Sequence, residues 1–442
     1  MNFLSFRGGV HPPHYKEATE NLKVEKAKDP SIVAISLQQH IGAPCEALVK
    51  VGDKVKVGQK IGEAKAFVSA PIHSSVSGVV KQIKTMKVPI PAGEAQCIVI
   101  ESDGLNEIHE SVIPKGDLES LSGKEILTII KEAGMVGMGG ATFPTHVKLS
   151  PPPDAKIDTI ILNGAECEPY LTADHRLMLE DPESIIYGLK AMMKVVNVSK
   201  AYIGIENNKP DAIESMLKAA QKESTIEVVG LQTKYPQGAE KQLIYACTKR
   251  EVPSGGLPSA AGVIVNNVAT ASAISNAIKT GMPLIERICT VTGKGIKEPK
   301  NLLIKVGTPT KEIIEQCGGY NGNIGKIIMG GPMMGLAQYT DELQAIKGTS
   351  GILVFTPEEA KLPETKACIR CGKCVEICPA FLQPLYISAY SLNDMHDTAE
   401  KYHALDCIEC GSCSFICPSK RPLLQSIRVS KREIVAKKRK TK

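Results

Sequence analysis

Eight of the fourteen cysteines in this chain fall between residues 368 and 417, in two runs of one spelling. The first is CIRCGKCVEICP, carrying Cys368, Cys371, Cys374 and Cys378 before Pro379; the second is CIECGSCSFICP, carrying Cys407, Cys410, Cys413 and Cys417 before Pro418. Each reads C-x2-C-x2-C-x3-C-P. Three thiolates at three-residue intervals wrap a loop round one face of an iron–sulfur cubane, and the fourth, on the following helix, turns to the neighbouring cluster. This predicts two [4Fe–4S] clusters, one on Cys368, Cys371, Cys374 and Cys417, the other on Cys407, Cys410, Cys413 and Cys378. Zinc favours pairs of knuckles, not triplets closed by Cys-Pro. A chain of 442 residues has no need of disulfide staples.

The remaining composition narrows the class. Aromatic residues make up 4% with no Trp, too few for a nucleic-acid surface of stacked rings. The net charge of +6 is concentrated in the last dozen residues, so a basic tail is implied and a basic body is not. No run reaches the 18 or so apolar residues of a spanning helix, and MNFLSFRGGVHPPHYKE has neither the apolar core nor the cleavage site of a signal peptide. The expectation is a cytosolic protein, or one docked on a membrane from the cytosolic side. Most of the other six cysteines read as small buried apolar residues, and no His is assigned to metal.

Along the chain the pattern is multidomain α/β. Residues 1–30 read as an arm. Residues 31–102, with VKVGDKVKVGQKIG and SAPIHSSVSGVVKQI, alternate at period two and predict strands. That segment resembles the barrel-sandwich fold of lipoyl and biotinyl carriers. Lys65 lies near the carrier position without its flanking signature, so an unmodified packing module is expected. Residues 120–285 alternate helix and strand, predicting a Rossmann-like domain with a largely parallel sheet; within it SGKEILTIIKEAG reads as a helix ended by Gly134. Residues 286–350 suit a β-grasp module of the soluble-ligand-binding type. Residues 360–425 resemble the all-helical two-cluster ferredoxins, and 426–442 read as a mobile basic tail.

Four segments in the α/β region point to a flat, phosphate-bearing ligand. The first is GMGGATFPTHVK (Gly137, Gly139, Gly140, Phe143, Lys148), where glycines admit close backbone approach and Lys148 supplies a counter-charge. The second, NGAECEP (Asn163, Glu166, Glu168), follows a buried strand. YPQGAE (Tyr235, Gly238, Glu240) and NNVAT (Asn266, Asn267, Thr270) come later. Acids and amides at strand ends suit the N–H and carbonyl groups of a flavin. Tight turns and surface acids would explain each segment taken alone.

In this order the four segments resemble the FMN- and NADH-binding 51-kDa subunit of respiratory complex I, which reads GRGGAGFPTGxK, NADESEP, YxxGEE and NNVET. The resemblance implies that Gly137, Gly139, Gly140 and Lys148 hold the phosphate side of a non-covalent FMN. It implies that Asn163, Glu166, Gly238, Asn266, Asn267 and Thr270 line the flavin. Phe143 and Glu168 would face the nicotinamide, with Tyr235 and Glu240 nearby. Met138, Thr142, His146 and Ala239 depart from that pattern. FRGGVHPP, NGAECEPYLTADHRLM, IMGGPMMG and the double cysteine run are similar, over essentially the whole chain, to the C subunits of Rnf (Rsx) complexes. That likeness implies a peripheral NAD(H)-facing subunit on the cytoplasmic side of a membrane complex. Its partners would be membrane and iron–sulfur subunits and, indirectly, ferredoxin, with electron flow coupled to Na+ or H+ movement. A soluble hydrogenase or transhydrogenase module and a non-catalytic relay are the rival readings.

Overall fold

A computed structural model describes residues 3–90 and 93–440. The α/β region forms a four-stranded parallel sheet in the order Ile226–Leu231, Ala201–Glu206, Thr159–Gly164, Val263–Asn267. These strands are continuous apolar runs because helices cover both faces. Ile160, Ile161, Leu162, Ile203 and Ile205 are fully buried, each contributing about 1.5–3 kcal/mol of apolar burial. The helix after Ser122 starts on a capping box and runs Gly123–Glu132, with Gly134 left-handed beyond it. Helices Pro182–Val196 and Val268–Thr280 lie together. Only a glycine fits their crossing, since a Cβ on Gly188 would sit 1.8 Å from the Ala271 carbonyl oxygen.

The N-terminal module has two small sheets, Ile32–Ser36/Glu94–Ser102/Gly78–Lys87/Lys54–Val55 and Glu46–Ala47/Lys60–Glu63/Ile72–His73. They close over Val33, Ile35, Leu37, Ile61, Ile72, Ile98 and Ile100. Lys65 is an exposed partner of Glu46. The first strand does not alternate; positions 33–36 are all buried, because the module packs on its neighbour, with the Ala34 amide donating to Gly307 O (3.0 Å) and the Ser75 hydroxyl to Val306 O (2.6 Å).

That neighbour is a mixed six-stranded sheet ordered Val24–Lys26, Lys300–Lys305, Glu286–Thr292, Gly351–Phe355, Lys326–Met329, Leu336–Gln338. Its edge strand comes from the N-terminal arm. Earlier in the arm, Leu4 and Val10 bridge to Leu231 and Tyr235 of the α/β region.

The cysteine region is built of short helices, among them Pro384–Ser391 and His396–Lys401. As far as residue 440 the basic segment is not the mobile tail expected from composition; residues 441–442 lie outside the described residues. Leu423–Lys440 is a helix lying on those two helices, with Ile427 and Ile434 in their shared core, Leu423 and Leu424 also buried, and four basic residues in its last turn at 437–440.

Candidate redox site

In chain order the parallel sheet reads third, second, first, fourth, so its connections reverse direction between Thr159–Gly164 and Val263–Asn267. Open α/β sheets bind ligands at that reversal, beyond the carboxyl ends of the strands. The two strands end there in register, Asn163 opposite Asn267. The Asn163 amide donates to Gly238 O (2.8 Å) and its oxygen accepts from Ala165 N (3.1 Å). Asn267 caps the next helix through Ala269 N (2.8 Å) and donates to Asp174 (2.6 Å).

The glycine loop is pinned over this point. The Met138 amide donates to the buried Thr270 hydroxyl (3.0 Å) and that of Gly137 to Phe143 O (2.8 Å). Gly139 has φ +107°, and a Cβ there would lie 2.8 Å from the Asn267 amide nitrogen. Gly140 faces open space.

Two buried amides beside this crevice have unpaired polar atoms: Asn266 Nδ2 and, in the YPQG segment, both Nε2 and Oε1 of Gln237. Leaving such groups unpaired costs about 1–3 kcal/mol each. Flavin carbonyls and N–H groups are the complementary partners, so the residues fit the group. Gln237 was missed from sequence although it lies inside a segment already singled out.

Other residues expected at the site have different partners. Glu166 is left-handed (φ 46°). Its oxygens accept from Asp174 N (2.7 Å) and His175 N (3.2 Å) at the start of helix Ala173–Glu180, with the Lys16 ammonium 4.0 Å away. Glu168, expected toward the nicotinamide, is turned to the GGPMMG loop, accepting from Met333 N (3.0 Å) and Met334 N (2.8 Å). Burial pushes its carboxyl up to about 7, opposed by those two donors and Lys16. Lys16 holds the stretch in place by donating to the Glu166 and Glu168 carbonyls (3.0 Å each) and to that of Leu171. Lys148 is paired with Glu240 (2.7 Å) and donates to Val265 O (2.6 Å), so its ammonium closes the base of the loop. Phe143 is half-buried at the loop's end. Tyr235 is buried, its hydroxyl on the Cys410 carbonyl (2.8 Å).

The two cysteine runs fold alike. Arg370 and Glu409, each just before the second cysteine, are left-handed (φ 55° and 57°). So are Gly372 and Gly411 just after it (75° and 78°), and Phe381 and Lys420 three residues past the fourth (54° and 50°). Such alternation turns successive amides to the inside of a loop, where they suit an anionic cluster.

Cys378, Cys407, Cys410 and Cys413 line one cavity walled by Leu382, Ile408, Leu424 and Ile427. Burial first, then the neighbouring Cys407, Cys410 and Cys378, pushes the Cys413 thiol up to about 12. In the other set burial raises the Cys374 thiol, with Cys417 and Cys368 as its neighbours, while Cys368 and Cys371 are exposed. Among the described residues no group of three His, Cys, Asp or Glu converges on a single metal ion. Ligands spread round a cubane are farther apart than those of one zinc.

Comparison with known proteins follows the same divisions. Family models match as the Nuo51 FMN-binding domain over residues 130–276, the RnfC barrel sandwich hybrid domain over 4–105, the SLBB domain over 288–337 and the 4Fe-4S dicluster domain over 360–421. The chain is 53% identical over 437 residues to the C subunit of the Na(+)-translocating ferredoxin:NAD(+) oxidoreductase complex of Acetobacterium woodii, covering 99% of this chain and 98% of that one. It is 53% identical to the proton-translocating counterpart of Clostridium ljungdahlii, over 97% of this chain and 94% of that one. To the C subunit of the ion-translocating oxidoreductase complex of Rhodobacter capsulatus it is 40% identical, over 88% and 75%. With a parallel sheet whose reversal point carries the flavin-type amides, and twin cysteine loops beside it, the chain belongs to the family of C subunits of the ion-translocating ferredoxin:NAD(+) oxidoreductase (Rnf) complexes.

Proposed function

We propose that this chain is the peripheral, NAD(H)-facing subunit of a membrane-bound ferredoxin:NAD+ oxidoreductase coupled to Na+ or H+ translocation, on the cytoplasmic side. The observation that carries this reading is an asymmetry. One cysteine set lines a cavity inside the cysteine region whose Cys410 and Pro379 carbonyls accept hydrogen bonds from Tyr235 and Gln242 of the α/β region, whereas the other presents Cys368 and Cys371 at the surface. Clusters in those sets would run from the outside of the protein to the flavin crevice. FMN held in that crevice would supply both two-electron hydride chemistry and one-electron chemistry, which is what a junction between nicotinamide and iron–sulfur carriers requires.

The chain's own groups do the positioning. Cys368, Cys371, Cys374 and Cys417 hold the outer cluster; Cys378, Cys407, Cys410 and Cys413 hold the inner one, with apolar walls that keep water from it. Asn163, Asn266, Asn267, Thr270, Gly238 and Gln237 set the flavin's edge. Gly137, Gly139 and Gly140 let the backbone come close to it. Glu166 and Glu168 fix the strand-end loop from behind, by binding backbone amides. No side chain is assigned as nucleophile or general acid. Among the described residues no helix is long and apolar enough to cross a membrane, and we place the ion path in partner subunits. Anaerobic reconstitution with FMN followed by NADH tests the reading. Bleaching of the flavin absorbance is expected, and an unbleached flavin refutes the NAD(H) assignment.

A further inference from the structure

Tyr235 belongs to the YPQG segment that lines the flavin crevice, yet its side chain leaves that crevice. The ring is 1% exposed. The residue is clamped on both sides by the arm, Val10 N to Tyr235 O and Tyr235 N to Val10 O at 2.8 Å each. The ring packs with Val10 and Cys410 in one apolar cluster that also touches Cys167, Ile377 and Ile408. Its hydroxyl donates to the carbonyl of Cys410, a ligand of the inner set, at 2.8 Å. Three residues on, the Gly238 amide meets the Cys167 sulfur (3.3 Å) and the Gly238 carbonyl accepts from Asn163 (2.8 Å). A second bond crosses the same junction, from Gln242 Nε2 to the carbonyl of Pro379, next to Cys378 (3.0 Å). The Gly9 amide adds a third, to Ile377 O (2.8 Å). One short stretch of chain thus touches the flavin crevice at one end and the inner cysteine loop at the other.

We infer that the Tyr235 hydroxyl is a positioning and tuning group for the inner cluster, raising its reduction potential above the value its buried thiolate site would otherwise set. The physical basis is the direction of the bond. The O–H dipole puts its positive end toward the backbone of a ligating cysteine, in an apolar surrounding where such a dipole is weakly screened. A cluster that gains an electron gains negative charge, and a donor aimed at its ligand loop stabilises that state more than the oxidised one; hydrogen bonding and burial are the protein's levers on such potentials. Cys368 accepts only from the backbone, the Arg370 amide lying 3.4 Å from its sulfur; no side-chain hydroxyl reaches Cys368 or Cys371 among the described residues, and both are exposed. The effect is therefore confined to one of the two clusters.

This inference rests on the proposed function, and the experiment separates the two. The reconstituted full-length chain and its Tyr235→Phe variant are titrated anaerobically with electron paramagnetic resonance detection, after iron and sulfide have been counted. The phenyl ring keeps the packing and loses only the donor. Expected is a fall in the midpoint potential of one cluster with the other unmoved, and no such fall in Val10→Ala, which loosens the same apolar contact but keeps the hydroxyl. Two clusters present with neither potential shifted in Tyr235→Phe overturns the inference. So does an equal shift in Val10→Ala, or a Tyr235→Phe protein unable to hold its inner cluster. A wild-type chain lacking two clusters overturns the proposed function itself.

Discussion

Replacing Lys347 tests how the modules are held together. Its ammonium is fully buried and donates to Pro71 O (2.8 Å) in the N-terminal module and to Gly134 O (2.7 Å) in the α/β region. It thereby joins three parts of the chain. Burial lowers its pKa from the ordinary 10.5 to about 7. Between those values the unfolded chain binds the proton and the folded one releases it, so stability rises with pH across the window. At about 1.4 kcal/mol per pKa unit, the gain from pH 7 to pH 8.5 is about 1.5 kcal/mol. The histidines facing the same site titrate lower: His40 is held at about 4 by burial and Lys347, and His73 and His146 are also lowered by burial. Cys45 is pushed above its ordinary 9.0 by burial, which opposes the rise slightly at the top of the window and does so equally in both proteins. Lys347→Met removes two hydrogen bonds, a loss independent of pH, together with the titrating group. Anaerobic denaturant melts at pH 7 and 8.5 should give a wild-type midpoint that rises with pH, and a Lys347→Met midpoint without that rise. Parallel pH dependence in the two proteins would refute the burial argument.

The crossed ligand pattern predicts that Cys417→Ala loses the surface cluster and Cys378→Ala the buried one, each variant keeping about four irons. The phase that bleaches quickly with an iron chelator should therefore vanish in the first variant and persist in the second; the reverse result would mean that each run holds its own cluster. Gly139→Ala puts a Cβ against Asn267 at a positive φ, a strain of about 1–3 kcal/mol. Retention of FMN measured by fluorescence should weaken roughly tenfold, with iron content unchanged. Gly188→Ala drives a methyl into the Ala271 carbonyl and should lower stability by about 1–3 kcal/mol, read as a fall in melting temperature.

The parts of this site that were legible in the sequence are those fixed by local spacing. Three-residue thiol intervals impose one loop geometry, and both runs adopt it down to matching left-handed residues at 370 and 409. The glycine loop and the paired asparagines were legible for a similar reason: a strand end and a helix start leave little choice of neighbour. The directions in which Glu166, Glu168 and Tyr235 point were not legible. Their partners are backbone groups outside their own segments, at Asp174, at Met333 and Met334, and at Cys410. The three-residue strand Val24–Lys26 carries no apolar pattern and exists because the edge Lys300–Lys305 is there to pair with it. The C-terminal helix was hidden by its lysines, because its few apolar residues form a face only when the helices at 384–401 are in place to receive them.

Metal and flavin analysis of the full chain, prepared without oxygen, bears most directly on the whole account. It should return about eight irons, about eight acid-labile sulfides and about one FMN per polypeptide. Bound zinc, or only about four irons in a fully loaded preparation, would contradict it.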